Sequence, residues 1–434
     1  MHKIVLGATV RSRAGYFALL LILLALIVTV FYYLNYPGVE LNADTPAYLH
    51  VVERIQTHAY QLADTWRLPG YPLLILLVYA LSGQGNLMAV SIVQAGLFVL
   101  ATLEIYVLAL WLAGRAWLAF LIGLLVGSNI ILLSYVKPIM SEGVALWLLT
   151  TLALAIAYFV RTTSVRAFWL VVICILPLFL TRPEWTYLPL PLFAYLLLVA
   201  LRRGMAQRLW RHGLIALGLI YVVVGGYVAG NALMNHYAGI TAIENINLFG
   251  KVLQYNMQDE AGPEYAATVR RIDVYRSRGD WDPYHILPHV PELAQDNAAP
   301  AAQFARSIIV QHPLEFLVKS VPPFFSSLID YSDVDRQNIP GPFDGPLNAL
   351  KSVDRVLYLW NATFPLWAVV WLFMLCWRRT RSNVIVLTMG AMVLLVLYGL
   401  IVTTLGGYSS HDYMRVHIVF DPLLILVTWH PKIR

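Results

Sequence analysis

Residues 36–72 contain two polar stretches, Leu41-Asn42-Ala43-Asp44-Thr45-Pro46-Ala47-Tyr48 and Trp66-Arg67-Leu68-Pro69-Gly70-Tyr71-Pro72. This acid-bearing segment follows an apolar run at 15–36 and precedes a chain that is apolar for most of its length. A membrane span needs about 20 mostly apolar residues. The run before the segment therefore reads as a span, and the segment itself as a loop held at the membrane surface. The run is too long for a signal-peptide core and has no small-residue cleavage site, so it is expected to be retained as a helix.

Composition extends this reading to the whole chain. Of 434 residues, 59% are hydrophobic and 12% charged, with a mean hydropathy of +0.67. Soluble domains carry about 25% charged residues, so the expected class is an all-α polytopic membrane protein. Cys174 and Cys376 both lie in apolar runs and read as packed thiols, not as a disulfide framework or metal site.

The formal charge of +6 is unevenly placed. Residues 232–355 hold 10 basic and 15 acidic side chains (net −5), and the remainder holds 20 and 9 (net +11). That pattern points to membrane topology and away from nucleic acid as a partner. Ten spans are predicted, at 15–35, 87–112, 117–135, 143–160, 167–181, 186–201, 213–231, 356–376, 383–404 and 416–430. The apolar run 72–81 is half a span and reads as a surface or re-entrant helix. Alternate loops then collect the basic residues from Lys3 and Arg13 through Arg115, Arg161, Arg202 and Arg379 to Lys432. These loops contain no acid, and by the positive-inside rule they are cytoplasmic. The expected localisation is the cell membrane, multi-pass, with both termini cytoplasmic.

Three domains follow: a transmembrane module at 1–231 whose first outer loop is 37–71, an extracytoplasmic helical insertion at 232–355, and C-terminal transmembrane helices at 356–434. Within the insertion, residues 244–258 and 301–328 show helical apolar spacing, the second interrupted by Pro313, Pro322 and Pro323. Residues 330–348 read as an irregular loop.

Four polar clusters fall on the predicted outer side, each with a plain reading and a sharper one. Asp44-Thr45-Pro46 fits a helix cap, or a carboxylate that takes a proton from a hydroxyl. Lys137-Pro138-Ile139-Met140-Ser141-Glu142 fits a cap with a snorkelling lysine, or an acid and a base that share a cavity with Asp44. Thr181-Arg182-Pro183-Glu184-Trp185 fits an interfacial ion pair, or an arginine placed for a phosphate. His411-Asp412-Tyr413-Met414-Arg415-Val416-His417 fits a polar turn, or a second phosphate or sugar contact. Asp333-Val334-Asp335 spells an Asp-x-Asp on the side where nucleotide sugars are not supplied, and Asn361-Ala362-Thr363 is a sequon inside a span. Glu104, an acid within the second span, reads as a hydrogen bond to a neighbouring helix.

Taken in order, Asp44, the Arg67–Pro72 motif, Ser141-Glu142, Thr181-Arg182-Pro183 and Tyr413-Met414-Arg415 resemble the membrane-embedded GT-C glycosyltransferases. The resemblance is to the protein O-mannosyltransferase branch, which includes bacterial enzymes that move aminoarabinose or other sugars onto lipid A and envelope glycans. It covers 15–201 best, 383–425 less, and 232–355 poorly. It implies a sugar donor on a polyprenyl phosphate, transferred with inversion outside the membrane to a glycan, lipid or protein acceptor. Asp44 corresponds to the family's first-loop acid and Glu142 to its second-loop acid. They are the expected catalytic pair, with a divalent cation such as Mg²⁺ or Mn²⁺ between them as the less favoured alternative to direct base action by Asp44. The branch often has Asp-Glu where this chain has Asp44-Thr45. The expected phosphate and substrate contacts are Arg67, Lys137, Arg182, Arg415 and His411. Two other function classes stay open: a transporter or flippase of lipid-linked sugars, and a non-catalytic envelope-assembly subunit.

Overall fold

The computed structural model describes residues 8–58, 61–331, 341–408, 415 and 417–429, and every regular element among them is helical. The first part of the chain forms α1 (Ala8–Asn35), α2 (Thr45–Thr57), α3 (Gly70–Ser82), α4 (Leu87–Ala113), α5 (Ala116–Gly127), α6 (Ile130–Val136), α7 (Glu142–Thr162), α8 (Val165–Thr181), α9 (Pro189–Arg202) and α10 (Ala206–Asn235). The insertion forms α11 (Ile243–Gln254), α12 (Ala266–Arg276), α13 (Pro283–Ile286), α14 (Pro291–Gln311) and α15 (Pro313–Ile329). The chain ends with α16 (Asp344–Asn361), α17 (Phe364–Cys376), α18 (Val384–Gly406) and α19 (Asp421–Trp429).

The chain is a multi-pass membrane protein; the expected number of about ten spans is not confirmed. Among the described residues five helices, within α1, α4, α7, α10 and α18, are long and apolar enough to cross a membrane. The number reaches seven if α5 with α6 (bent by 53°) and α16 with α17 (bent by 49°) each count as one span. Local chemistry explains the two bends. At the first bend the Asn129 side chain accepts the Leu132 N–H at 2.9 Å and so starts α6 afresh. At the second, Pro365 stands in the first turn of α17, where its missing N–H restarts a helix instead of continuing one. The expected spans at 167–181, 186–201 and 416–430 correspond to helices of 17, 14 and 9 residues, the first containing Pro177. Hydropathy counts apolar residues; it does not require them to lie on one unbroken helix.

Buried side chains form two separate cores. The large one joins the spans, from Leu21 on α1 and Ile105 on α4 to Leu149 on α7 and Leu424 on α19. The smaller one lies wholly between Ile246 and Phe316, around Phe249, Ile286 and Phe304. The insertion thus buries its own apolar face, which is what allows it to be a structured cap on the bundle.

Gly70 shows how closely the site-bearing elements approach. It begins α3, and a Cβ there would lie 2.5 Å from the Leu180 carbonyl oxygen and 2.8 Å from the Thr181 nitrogen. Those are backbone atoms at the end of α8 and cannot rotate away. Gly70→Ala is therefore expected to lower stability by about 1–3 kcal/mol, measured as thermal unfolding in one fixed lipid environment. An unchanged midpoint would show that α3 and α8 can part at no cost.

Candidate active site

Two loops are laced together before any ionic contact is made. The Ile139 N–H donates to the Glu40 carbonyl at 3.1 Å, the Thr45 hydroxyl donates to the Ile139 carbonyl at 3.1 Å, and the Tyr48 hydroxyl donates to Ser141 Oγ at 2.9 Å. From below, Gln94 on α4 donates to the Pro138 carbonyl at 2.8 Å and Ser91 to the Lys137 carbonyl at 2.7 Å. This fixes Asp44, at the start of α2, beside Glu142, the first residue of α7.

Asp44 stands at the cap position of α2, yet its side chain caps nothing. The capping reading therefore fails for its carboxylate, which is held by two arginines instead. Asp44 Oδ1 is 2.5 Å from Arg67 Nη2, and Oδ2 accepts from Arg415 Nη2. Arg67 is presented by a tight turn in which Asp64 Oδ1 accepts the N–H groups of Trp66 (2.7 Å) and Arg67 (2.9 Å). Tyr227 of α10 ties that turn down through the Asp64 carbonyl at 2.8 Å. The Arg67 guanidinium also lies 4.9 Å over the Tyr48 ring, a cation–π contact.

Arg415 joins the two expected catalytic acids. Its Nη2 is 3.0 Å from Glu142 Oε1 as well as bonded to Asp44, and its Nε is 3.3 Å from the same Glu142 oxygen. Two residues on, the chain is pinned in the core: His417 Nδ1 and Asp421 Oδ1 are 2.9 Å apart, and Tyr358 donates to Asp421 Oδ2 at 2.5 Å. Arg182, extended at the end of α8, puts Nη1 3.3 Å from Glu142 Oε1, and its Nε donates to Glu184. Glu142 is 1% exposed, and its Oε2 has no hydrogen-bond partner among the described residues.

Charge decides the protonation state of Asp44. Burial alone would raise its pKa. The neighbouring Arg415 and Arg67 charges, with the Arg415 hydrogen bond and the Arg182 charge, outweigh that and hold the carboxyl below its ordinary value. Asp44 is thus an anion throughout the neutral range.

This cluster lies in a cavity of about 970 Å³. One wall comes from the insertion, through Glu244, Asn247, Asp282, Tyr284 and Arg306, and another from the end of α18, through Ile401, Val402 and Leu405. Ile401 and Leu405 are also 48% and 38% exposed, so this wall presents apolar side chains to the cavity space. Glu244 is exposed to the cavity space, within walls that enclose it on most sides. Burial, helped by the negative charge of Glu184 and only partly offset by Arg306, pushes its pKa up to about 7.

The structure therefore brings Asp44, Arg67, Glu142, Arg182 and Arg415 together and leaves out Lys137. That lysine is fully buried, 2.8 Å from Glu40 Oε1 and 5.5 Å from the centre of the Tyr33 ring, and it does not line the cavity. It holds the first loop to the second and is not placed to meet a ligand. His411, like Asp333 and Asp335, lies outside the described residues. Glu104 accepts hydrogen bonds from Thr150 and Thr151 of α7 (2.9 Å from Thr151).

The residues present do not fit a divalent cation between Asp44 and Glu142, because the Arg415 guanidinium takes up that position. Among the described residues no three His, Cys, Asp or Glu side chains converge as a metal site. The cavity residues that sequence reasoning did not single out are Glu244, Asn247, Asp282, Tyr284 and Arg306, all on the insertion, together with Tyr48 and Tyr398.

No family model matches the chain, and no curated protein does. Among solved structures, the archaeal oligosaccharyltransferase AglB from Archaeoglobus fulgidus, in complex with an inhibitory peptide and a dolichol-phosphate, aligns with a TM-score of 0.45 and 12% identity. That alignment covers 94% of this chain and 50% of AglB. The apo form of the Archaeoglobus fulgidus oligosaccharyltransferase gives a TM-score of 0.44 at the same identity and coverage. The chain spans about half the length of these structures.

Proposed function

We propose that the chain is an integral-membrane glycosyltransferase of the GT-C type, moving a sugar from a polyprenyl-phosphate donor to an envelope acceptor on the extracytoplasmic face. The observation that carries this reading is the convergence of three arginines on two carboxylates, in a cavity with one apolar wall. A guanidinium set recognises a phosphate by charge and by forked hydrogen bonds, and the wall formed by Ile401, Val402 and Leu405 suits a lipid chain.

In the proposed reaction the donor phosphate competes with Asp44 for the Arg67 and Arg415 guanidiniums, and so frees a carboxylate oxygen. The acceptor hydroxyl then attacks the anomeric carbon. The bond from that carbon to the phosphate oxygen breaks, and its electron pair leaves with polyprenyl phosphate. The hydroxyl proton passes to Asp44, the general base. One in-line displacement inverts the anomeric centre. Arg182 and Arg415 stabilise the charge gathering on the leaving phosphate, and Glu142 holds both of them.

The test is purified protein in nanodiscs with radiolabelled polyprenyl-phosphate sugars and a panel of glycan, lipid and protein acceptors, with and without chelator. Expected are a new glycosidic bond and released polyprenyl phosphate, undiminished by chelation. Sugar-lipid movement across vesicles with no new glycosidic bond would favour transport instead.

Glu244 gives a pH prediction. Its carboxyl is mostly neutral below about pH 7 and negative above, so rising pH places a negative charge in a cavity that takes an anionic donor. The donor KM is expected to rise severalfold between about pH 6 and about pH 8, and to stay flat over that range in Glu244→Gln. A rise that persists in Glu244→Gln would assign it to another group.

A further inference from the structure

Helix α15 has three chemically distinct faces. Leu314, Leu317, Val318, Val321 and Phe325 are each 51–77% exposed, and at about 100° per residue they fall on a single strip of the helix surface. Along one edge of that strip run Glu315 and Lys319, paired at 2.6 Å, and Ser326, whose hydroxyl donates back to the Pro323 carbonyl at 3.1 Å. The remaining face is packed on protein: Phe316 belongs to the small core of the insertion and Phe324 packs against the core of the bundle, and the strip itself ends at Leu328, which is buried in that second core. The helix therefore leaves the insertion and lies against the spans, contacting α18 and α16.

A strip of five large apolar side chains facing outward is not a surface that water-soluble domains keep. Nor does the strip stand alone. Helix α15 packs on α16, where Val353, Val356 and Leu359 are more than half exposed as well, in a helix pair that counts as a bent span. Exposed apolar side chains thus occur on two helices packed together, one of them part of a candidate membrane span, and on α15 charge is confined to one edge. An apolar face with a polar margin is the arrangement that lies in a bilayer interface.

We propose that α15 is seated in the leaflet on the cavity side of the membrane. Its strip contacts acyl chains, and its Glu315–Lys319–Ser326 edge sits among the headgroups. The water-exposed part of the insertion then ends near residue 312 instead of 355. The occupant of the strip is lipid, not a second copy of the chain, because α15 packs on α16 and α18, helices that belong to candidate membrane spans. This inference does not depend on glycosyl transfer. Its bearing on the cavity is mechanical: α18 supplies both the surface on which α15 packs and the apolar wall of the cavity, so the leaflet position of α15 sets the height of that wall.

The test uses the full chain in phospholipid nanodiscs, with a photoactivatable benzophenone amino acid replacing Val318, Val321 or Phe325 on the strip, or Glu315 or Ser326 on the edge. After illumination, mass spectrometry reads covalent phospholipid adducts. Strip positions are expected to give about tenfold more lipid adduct than Ser326. Equal adduct yield at strip and edge would overturn the proposal, and so would cross-linked dimer as the main product at the strip. A substituted protein that no longer unfolds near the parent midpoint is replaced by its neighbour on the strip. Val318, among the most exposed, is the position least able to disturb packing.

Discussion

Asp44→Asn is expected to reduce sugar transfer by about 10³-fold, the scale of a lost general base, while leaving donor affinity unchanged or tighter. The two halves of that result come from the same contacts. Asn keeps the shape of Asp and can still accept from Arg415, but it cannot take the proton of an attacking hydroxyl. It also removes a negative charge that competes with the donor phosphate for Arg67 and Arg415. A purely structural Asp44 would behave differently. Removing one partner of a half-buried ion pair would loosen both arginines, and donor binding would collapse together with turnover. The measurement is therefore a pair: kcat from initial rates at saturating donor, and donor Kd from equilibrium binding to the same preparation. Loss of both would assign Asp44 to the scaffold. Normal turnover would remove it from the mechanism altogether.

The all-helical membrane architecture was legible because it depends on composition and on runs of apolar residues, which are local properties. The site was legible in part for a different reason. Asp44, Glu142, Arg182 and Arg415 all stand at helix ends or in short loops on the side opposite the basic loops, so loop charge alone places them on one face. What it does not do is choose partners. Lys137 and Arg415 are both cations on that face, yet Lys137 goes to Glu40, four residues before Asp44, because Ser91 and Gln94 hold the backbone of residues 136–138 from below. Nothing in the spacing ranks Glu40 above Asp44 as its partner. The insertion's contribution was illegible for a stronger reason. Glu244, Asn247 and Arg306 carry no motif, and they meet the cavity only through the way a separately cored domain sits on the bundle. Helix breaks were illegible where a single polar residue, such as Asn129, caps a new helix inside an apolar run. Residues 313–329 fall within the insertion by sequence, and five large apolar side chains on them are more than half exposed. Two cores meet along that helix, and a periodicity argument sees only one helix at a time.

Arg415 is the side chain on which the cluster turns, and Arg415→Ala is expected to cost about 10²–10³-fold in transfer, as for the loss of one preorganised charge donor. The sign of the accompanying pH change is what makes the experiment discriminating. In the parent protein the Arg415 charge is the largest influence opposing burial at Asp44. Without it the burial contribution is offset only by Arg67 and, more weakly, by Arg182, so the Asp44 pKa moves up. The reaction needs the ionised carboxylate, so the acid limb of the kcat/KM profile, which reports the free enzyme and is expected below the ordinary aspartate value of about 3.9 in the parent, should shift to higher pH in the variant. Raising the pH should then recover part of the base function but none of the phosphate contact, leaving a raised donor KM at every pH. Arg415→Lys keeps a charge but not a fork able to reach Glu142 and Asp44 together. It should restore the acid limb more fully than the KM. A variant with an unshifted acid limb and a uniform loss at all pH values would separate Arg415 from Asp44 and leave it as a structural tie between α7 and the final helix.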